Sequence, residues 1–433
     1  MITFKVQAGE VLSDGAGGNL HGIRMDCGGR GICGKCRIIG TPPAHLAPPT
    51  EAEKAHLTAA ELADGHRLAC QTHFVGPAEV TVPDASLDPA AALGKDRLPP
   101  VMTPHPRVVR CLLHRASFPQ ILEGKATGLL EWVAKRASDT GTPGVRFRHL
   151  ALAKQLSRPG VAEQDLTLVV HRHRGVSTVW PGHRPRSLGL AIDVGTTTLA
   201  VYLCELTTGR TVASLAGLNP QRGIGEDVIS RIAHCDRHSK GLETLQGLVR
   251  DGLNRLMNVC LTRAGVSAED VDAVTVAANP TMAHLLVGLH PHAIGVSPYL
   301  PATRRFFPLV AADLGLDLSP NTPVEMFPLV SGFVGGDTVA AVLADDTHRC
   351  DGATLLVDIG TNGEIVLGNG GGLWATSCAT GPALEGARIS CGMRAVPGAV
   401  DRVTFESGRI RYHVLGDPDR PPLGLCGSGI IDA

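Results

Sequence analysis

Four cysteines near the N-terminus have the spacing of a redox-active metal site. Cys27, Cys33 and Cys36 form a C-x5-C-x2-C pattern in the glycine-rich stretch DCGGRGICGKC, and Cys70 follows in RLACQT. Thiolates on such a loop can surround an inorganic core while backbone N–H groups point at its sulfurs. A zinc site would need paired C-x2-C units or a nearby histidine, and the sequence has one such pair with two histidines flanking the last cysteine. The spacing favours a [2Fe-2S] cluster over zinc and predicts one-electron chemistry.

Two nearly identical turns further along the chain predict a phosphate-binding site. The segments LGLAIDVGTTTLAVYL (188–203) and TLLVDIGTNGEIVLG (354–368) each contain a strand, a D-x-G-T turn and a second strand. A glycine at the turn lets backbone N–H groups approach phosphate oxygens, and threonine hydroxyls add donors. Asp193 and Asp358, at the strand ends, are placed to hold Mg²⁺ directly or through water. One such turn is common, but two in a half-domain repeat predict nucleotide binding between two halves.

The elements that must position these residues fall into four parts. Residues 1–83 begin with an alternating strand and end with the strand-like AEVTVP, which predicts a small β-rich domain. Residues 84–105 are rich in proline and predict a linker. Residues 106–186 have an α+β pattern without a chemical signature, and residues 187–433 alternate apolar strands with helices, which is typical of α/β domains.

Composition and charge narrow the function classes. The chain has 433 residues, of which 43% are hydrophobic and 19% charged, with a net charge of −1. This balance indicates several globular domains and no global field for gathering nucleic acid or an anionic membrane. Because there is no signal-peptide pattern and no bilayer-spanning apolar run, we expect a cytoplasmic protein with reduced thiols. The lack of a G-x4-G-K-[ST] motif excludes a P-loop enzyme.

The motifs resemble those of a known family. The cysteine pattern resembles that of two-iron ferredoxin domains, and the paired turns resemble the phosphate hairpins of the acetate kinase, sugar kinase, Hsp70 and actin superfamily, in which ATP lies between two halves. Five further segments are similar to those of ferredoxin-fused ATPases that reductively activate corrinoid proteins: NPQRGIGEDVISRI (219–232), NPTMAHLLVG (279–288), SGFVGGDTVAAVLA (331–344), SCATGPALEGARISCGMRA (377–395) and GLCGSGIIDA (424–433).

The resemblance covers nearly the whole chain and implies a multidomain protein of α+β and α/β parts. These parts are an N-terminal β-grasp [2Fe-2S] ferredoxin, a small α+β middle domain at 106–186, and a duplicated acetate kinase/Hsp70/actin-like ATPase domain. Far less chain follows the second hairpin than the first. We therefore expect the second ATPase lobe to be incomplete, truncated at the C-terminus.

The resemblance also implies roles for individual residues. The four cysteines are the implied ligands of the cluster. Catalytic roles around Mg²⁺ are implied for Asp193, Asp227, Asp337 and Asp358. Nucleotide contacts are implied for two hairpins and a C-terminal turn: Gly195, Thr196, Thr197, Thr198, Gly360, Thr361, Asn362, Glu364, Gly427, Ser428 and Gly429. Relatives usually have G-N-T-T-M where this chain has Ala278-Asn279-Pro280-Thr281-Met282, and proline has no N–H to donate to a ligand.

Several of these residues have plainer interpretations. Asp227 and Asp337 each precede an apolar periodic run, so capping of a helix is as well supported by the sequence as catalysis. Three cysteines among small residues are expected to be buried free thiols: Cys378, Cys391 and Cys426. His171 and His173 alternate along a predicted strand, where solvated positions are favoured over a metal site.

Joining the two chemistries gives the expected function. The resemblance implies an ATP-dependent one-electron reductive activator that returns an inactive Co(II) corrinoid protein to Co(I) through the [2Fe-2S] cluster, with ATP and Mg²⁺ in the cleft. The alternative is an ATP-gated, ferredoxin-type electron carrier without corrinoid specificity. ATP-driven reductases with four-iron clusters are disfavoured by the two-iron spacing. The middle domain is a candidate for docking or for contact within a homodimer, and the sequence does not identify the upstream electron donor.

Overall fold

The computed structural model describes most of the chain. The described residues are 2–9, 12, 23, 31, 34–83, 86, 107–114, 128–139, 147, 150–161, 164–360, 362–380, 391–393, 398–406, 409–415 and 421–433. Nearly all of the predicted linker lies outside them, as do Cys27, Cys33 and Thr361. Where the structure describes the chain, no helix is long and apolar enough to cross a membrane.

The strands, in chain order, are β1 (Ile2–Val6), β2 (Arg37–Thr41), β3 (His66–Leu68), β4 (Ala78–Val82), β5 (Val108–Leu113), β6 (Leu166–His171), β7 (Gly175–Pro181), β8 (Leu188–Val194), β9 (Thr198–Glu205), β10 (Thr211–Leu218), β11 (Val271–Ala278), β12 (Leu309–Val310), β13 (Pro323–Met326), β14 (Thr354–Ile359), β15 (Asn362–Gly368), β16 (Leu373–Ala379), β17 (Ala399–Glu406), β18 (Arg409–Val414) and β19 (Gly424–Leu425). The α-helices are α1 (Glu51–His56), α2 (Ala59–Ala63), α3 (Leu129–Ser138), α4 (Leu150–Leu156), α5 (Val228–Arg237), α6 (Gly241–Ala264), α7 (Pro280–Val287), α8 (His292–Gly295), α9 (Ala311–Leu314), α10 (Gly336–Ala344) and α11 (Gly427–Asp432).

The N-terminal part forms a four-stranded sheet in the order β1-β4-β2-β3. Both predicted terminal strands are confirmed, because β1 and β4 pair in an antiparallel register with Phe4 opposite Val80. The predicted helix start at Thr50 is also confirmed: the Thr50 hydroxyl accepts the N–H of Glu53, and the Glu53 carboxylate accepts the N–H of Thr50. Such reciprocal capping satisfies two backbone donors that a helix end leaves unpaired. A buried core that includes Ile38, Leu68 and Phe74 lies behind this sheet.

Strands β5, β6 and β7 form a three-stranded antiparallel sheet in that order. Helix α3 buries Trp132 and Val133 in the core of this sheet. The prediction of solvated histidines is wrong for His171, which is 1% exposed because its Nε2 atom lies 3.2 Å from the Glu325 Oε1 atom of another sheet. Strand β6 ends at His171, so His173 is exposed in the following turn and does not share its strand.

The next sheet has six strands in the order β10-β9-β8-β11-β13-β12. Strands β8, β9 and β10 form an antiparallel meander, whereas β8, β11 and β13 run parallel. Leu188, Leu190 and Ile192 alternate along β8 and therefore bury one face of this strand in the core. Helix α6, 24 residues long, packs on this sheet and buries Leu245 and Leu253. The carboxyl ends of β8 and β11 therefore meet at one edge.

The second predicted hairpin lies in a separate three-stranded sheet of order β14-β15-β16. Its antiparallel meander repeats the arrangement of β8, β9 and β10, which confirms the strand-turn-strand repeat. Leu355, Val357 and Ile359 alternate on an exposed face of β14. A further three-stranded sheet has the order β18-β17-β19, and α11 packs against β17. Gly429 of α11 lies so close to β17 that an added Cβ would be 2.2 Å from the Val400 carbonyl oxygen.

Two of the three cysteines expected to be buried are not. Cys426 is buried, as predicted, but Cys378 and Cys391 are exposed. Cys378 lies on β16, which is the last strand of its sheet and is paired on one side only. Small neighbouring residues therefore do not indicate burial in this part of the chain.

Candidate functional site

Paired strands bring two of the predicted cluster ligands together. Cys36 directly precedes β2 and Cys70 follows β3, and these strands pair with Arg37 opposite Leu68. The Ala69 N–H donates to the Cys36 carbonyl at 2.8 Å, which extends the pairing to the cysteines. The two Sγ atoms are 3.3 Å apart. Cys27 and Cys33 lie outside the described residues, so two of the four predicted ligands are described.

The environment of these thiols suits metal ligation. A hydrogen bond from the Cys36 thiol lowers the pKa of Cys70 to about 7, against the opposing effect of burial, and the Gln71 side chain contributes in the same direction. The thiolate is the form that binds metals, so a lowered thiol pKa favours ligation near neutral pH. Cys36 is 1% exposed, whereas Cys70 is partly buried. The described pair fits the thiolate donor set of a [2Fe-2S] cluster.

Glu53 has a second role that its capping motif did not reveal. Its Oε1 atom accepts the Leu68 N–H at 3.0 Å and the Thr72 hydroxyl at 2.7 Å, on either side of Cys70. Its other oxygen serves the helix cap at Thr50. The carboxylate is 1% exposed and therefore ties helix α1 to the loop that carries a predicted ligand. This contact joins residues far apart in sequence, so local spacing could not predict it.

The first predicted phosphate hairpin is closed at Gly195. The Gly195 N–H donates to the Thr198 carbonyl at 2.9 Å, and a Cβ at position 195 would lie 2.7 Å from the same oxygen. The turn therefore requires glycine, as the motif predicts. Asp193 lies one residue from the end of β8, opposite Ala200 of β9.

Three side chains from other segments hold this hairpin. The Asn219 Nδ2 atom donates to the Gly195 carbonyl at 2.8 Å, and the Asn279 Nδ2 atom donates to the Thr196 hydroxyl oxygen at 2.9 Å. The Arg231 Nη2 atom donates to the Thr196 carbonyl at 2.6 Å. All three lie in the segments 219–232 and 279–288, which the sequence singled out without assigning them this task.

Arg231 is a buried cation held by uncharged acceptors. It is 0% exposed, and its Nε and Nη1 atoms donate to the Gly225 carbonyl and the Gln221 side-chain oxygen at 2.9 and 3.0 Å. Burial lowers its pKa to about 10, and the charge of Arg222 acts in the same direction. The guanidinium thus places positive charge directly behind the first hairpin, where a phosphate ligand would benefit from it.

The second hairpin has a related construction. The Gly360 N–H donates to the Asn362 carbonyl at 3.1 Å, and the Thr380 hydroxyl donates to the Gly360 carbonyl at 2.5 Å. Asp358 and Glu364 are directly opposite each other on β14 and β15. Thr361 lies outside the described residues.

Carboxylates from both halves lie close enough to influence one another. Burial raises the pKa of Asp337 to about 6, and the charges of Asp193 and Asp358 act in the same direction. Burial also raises the pKa of Glu364 to about 7, reinforced by Asp337 and Asp358. The structure therefore brings together Asp193, Asp337, Asp358 and Glu364, a concentration of negative charge that a cation would relieve. Among the described residues, no three acidic, histidine or cysteine side chains form a ready-made metal cage.

The two aspartates with capping alternatives behave differently. Asp227 is the N-cap of α5, and its Oδ1 atom accepts the Ser230 N–H at 2.8 Å, so the capping interpretation is confirmed. Asp337 is not an N-cap, because α10 already begins at Gly336. A Cβ at Gly336 would lie 2.8 Å from the Phe327 Cβ atom, so this close entry requires glycine. The Asp337 Oδ1 atom accepts the Thr338 N–H at 2.8 Å within the first turn, and the carboxylate also interacts with Asp193 and Asp358.

The remaining predicted contacts lie at the C-terminal turn. Gly427, Ser428 and Gly429 form the first turn of α11, as the sequence predicts for a turn leading into a helix. The Cys426 thiol and Ser428 hydroxyl are 3.4 Å apart. Asn279 is the N-cap of α7, and Pro280 occupies the first helical position, where a missing N–H costs nothing.

Three families match successive parts of the chain. The family described as 2Fe-2S iron-sulfur cluster binding domain matches residues 1–75, which contain all four cysteines. The family described as RACo middle region matches residues 188–350, and the family described as the C-terminal domain of RACo, the ASKHA domain, matches residues 352–433. Each of the latter two contains one D-x-G-T hairpin.

Known proteins resemble nearly the whole chain. The corrinoid activation enzyme RamQ of Eubacterium limosum is 30% identical over 95% of this chain. The solved structure of a reductive activator for corrinoid, iron-sulfur protein is 31% identical, with a TM-score of 0.66, over 95% of this chain and 67% of that one. A Co(II) methylated amine-specific corrinoid protein reductase of Methanosarcina barkeri is 24% identical over 57% of this chain and 49% of its own length. The chain spans 65% of the length of RamQ.

These matches confirm the predicted fold class. The chain combines an N-terminal iron-sulfur domain with an ASKHA-type ATPase fold, in a molecule of mixed helix and sheet content.

Proposed function

Because the chain belongs to the family of ferredoxin-fused reductive activators of corrinoid proteins, we propose that it returns an inactive Co(II) corrinoid protein to Co(I) by ATP-dependent one-electron reduction. One observation carries the proposal. A single chain combines two converging thiols in a ferredoxin-type sheet with a second site where two repeated hairpins bring carboxylates together. Electron transfer and nucleotide chemistry are thereby available in one molecule.

The cluster site is the source of the electron in this proposal. Cys27, Cys33, Cys36 and Cys70 are the proposed ligands of a [2Fe-2S] cluster, which when bound supplies a single electron at low potential. The lowered thiol pKa of Cys70 keeps it ready to bind, and Glu53 holds the loop on which it lies. An external one-electron donor of low potential must reload the site after each turnover.

The hairpins are the proposed nucleotide site. Gly195 and Gly360 let backbone N–H groups approach the phosphates, while the hydroxyl and amide side chains of the hairpins add donors. The remaining proposed contacts are Thr196, Thr197, Thr198, Thr361, Asn362, Gly427, Ser428 and Gly429. Mg²⁺ bound with the nucleotide would be held by Asp193 and Asp358, in part through water, and would relieve the repulsion among the carboxylates.

Hydrolysis needs a group that takes a proton from the attacking water. Glu364 and Asp337 have pKa values raised to about 7 and about 6, which suits proton transfer near neutral pH. We assign this step to Glu364 and the positioning of water or metal to Asp337. Asp227 caps α5, and we propose that it also positions water or metal at the site.

ATP couples to electron transfer through conformation. Reduction of Co(II) to Co(I) is uphill for an ordinary low-potential donor, so the nucleotide must favour a state in which transfer proceeds. In this proposal residues 1–83 transfer the electron and residues 84–105 are a linker. Residues 106–186 mediate docking or homodimer contact, and residues 187–433 bind and hydrolyse ATP. We propose that the chain acts in the cytoplasm on a corrinoid protein, without nucleic acid or a membrane as partner.

The experiment is an anaerobic assay of Co(I) formation with a Co(II) corrinoid protein from the same source. The chain, a chemical reductant and Mg²⁺-ATP should produce the visible absorbance of Co(I), and Cys36→Ala or Asp193→Ala should abolish it. Cys378→Ala, an exposed cysteine on β16, is a matched control that should retain the activity. ATP hydrolysis that ignores every corrinoid protein, with cobalt remaining Co(II), would instead support an ATP-gated electron carrier.

A further inference from the structure

Asn279 makes two hydrogen bonds that together fix the direction of its side-chain amide. As the N-cap of α7 it accepts the Met282 N–H on its Oδ1 atom at 2.9 Å. Its Nδ2 atom donates to the Thr196 hydroxyl oxygen, also at 2.9 Å. Because the amide oxygen already serves the helix, the group that faces Thr196 must be the NH₂ donor.

This donor determines what the Thr196 hydroxyl can do. A hydroxyl has a single proton, and an oxygen that accepts from an amide must direct that proton elsewhere. The carbonyl of Thr196 is held from another side by Arg231 at 2.6 Å, so both oxygens of this residue accept from the protein. The side chain is largely buried at 7% exposed, at the turn of the first phosphate hairpin.

We propose that Asn279 is a positioning residue that orients the Thr196 hydroxyl as a hydrogen-bond donor to a nucleotide phosphate. The inference rests on the proposed nucleotide site and adds to it a determinant of phosphate affinity. An aspartate at position 279 would keep the helix cap but accept the hydroxyl proton itself, leaving oxygen rather than hydrogen facing the phosphate. Unlike the aspartate, the asparagine amide can accept the Met282 N–H with its oxygen and donate to the Thr196 hydroxyl with its nitrogen.

Asn279 also lies at a junction of the cleft. An added Cβ at Gly335 would be 2.6 Å from the Asn279 Cα atom, so the entry to α10 packs against the Asn279 backbone. Helix α10 carries Asp337, one of the four interacting carboxylates. The residue that orients the hydroxyl therefore contacts the acidic side of the site as well.

The chain provides a matched control in Asn219. This residue also accepts a backbone N–H on Oδ1, from Gln221 at 3.0 Å, and also donates from Nδ2 to the first hairpin, at 2.8 Å. Its acceptor is the Gly195 carbonyl, which has no proton to orient. Substitution of Asn219 thus weakens the support of the same hairpin without changing the direction of a hydroxyl.

The test is a double-mutant cycle on Mg²⁺-ATP affinity, measured by calorimetry with the full chain. Serine retains a capping oxygen, so Asn279→Ser and Asn219→Ser are each combined with Thr196→Val. Asn279→Ser and Thr196→Val should each weaken ATP binding by about 10- to 100-fold, the range for hydrogen bonds to charged groups. The double variant should bind ATP at most about twofold more weakly than Thr196→Val alone, because both substitutions remove the same hydrogen bond to the phosphate.

The control pair should behave differently: Asn219→Ser and Thr196→Val should multiply their effects. Thr196→Ser keeps a hydroxyl and should retain both ATP affinity and its sensitivity to Asn279→Ser. Asn279→Asp keeps the side-chain size and the helix cap, so it provides a second test if Asn279→Ser does not fold. It should weaken ATP binding at least as much as Asn279→Ser.

Two outcomes would overturn the inference, and they are distinguishable. If the unmodified chain binds ATP but Asn279→Ser multiplies with Thr196→Val as Asn219→Ser does, or Asn279 variants bind normally, then Asn279 does not act through the hydroxyl. If the unmodified chain binds no nucleotide at all, the proposed function fails and this inference fails with it.

Discussion

Arg110 and Asp272 form a buried, two-point ion pair between two sheets. The Arg110 Nε and Nη2 atoms lie 2.7 and 2.9 Å from the two carboxylate oxygens, and the side chains are 4% and 1% exposed. The Ser187 hydroxyl donates to the same carboxylate at 2.7 Å. Burial raises the pKa of Asp272, although Arg110 opposes the shift. The pair joins β5 to β11, the strand that ends beside Asn279.

Breaking this pair should strongly destabilise the chain. Arg110→Met leaves the Asp272 carboxylate buried without its partner, which costs about 3–5 kcal/mol. Arg107→Met is the matched control, because Arg107 is 66% exposed where it meets Glu325, and loss of an exposed pair costs under about 1 kcal/mol. The free energy of unfolding in urea measures both. Equal losses for the two variants would show that the buried pair does not hold the sheets together.

Glu53 should control the cluster site through the Cys70 loop. Glu53→Ala leaves the buried Leu68 N–H without its acceptor, at a cost of about 1–3 kcal/mol, and leaves the Thr72 hydroxyl with the Leu68 carbonyl as its acceptor at 3.0 Å. We expect less iron per chain, faster loss of the cluster and an altered electron paramagnetic resonance spectrum of the reduced protein. Glu51→Ala on the same helix is the control, since Glu51 is 90% exposed and pairs with the exposed Lys54. Unchanged iron content and spectrum in Glu53→Ala would contradict the assignment.

The acidic cluster should make stability depend on pH in a defined direction. The pKa of Glu364 is raised from 4.5 to about 7, so the folded chain holds a proton there that the unfolded chain releases. The stabilisation is fully present below pH 4.5 and is lost as the pH rises through about 7. Glu364→Gln imitates the protonated form and should therefore raise the melting temperature at pH 8 but not near pH 4.

Thermal unfolding of the parent and the Glu364→Gln variant between pH 4 and 8 measures this difference, with Glu51→Gln as an exposed control for the lost charge. If the gain in melting temperature of Glu364→Gln stayed constant from pH 4 to 8, or grew as the pH fell, burial and the neighbouring carboxylates would not raise the pKa of Glu364.

Local patterns were sufficient for much of the fold and for the outline of both sites. Thr50 and Glu53 are three residues apart, and their capping box follows from that spacing alone. The two D-x-G-T turns likewise contain their own glycine and closing hydrogen bond. Such features depend only on residues close together in the sequence, so they can be predicted from one sequence.

Long-range contacts account for what the sequence did not reveal. Arg231 and Asn279 meet at Thr196 across 35 and 83 positions, so no local spacing shows that they hold the first hairpin. His171 looked solvated because Glu325, which buries it, comes from a distant strand. Asp337 lies inside the first turn of α10 rather than at its N-cap, and its Oδ1 atom accepts the Thr338 N–H there.

The most direct test of the account is a single-turnover measurement on the anaerobically reduced chain. The chain is mixed with a Co(II) corrinoid protein, and the electron paramagnetic resonance signals of Co(II) and of the reduced cluster are followed with and without Mg²⁺-ATP. We predict that both signals decay together, one electron for one cobalt, only when ATP is present and the carboxylate of Asp193 is intact. Equal decay without ATP, or loss of the cluster signal while Co(II) persists, would contradict it.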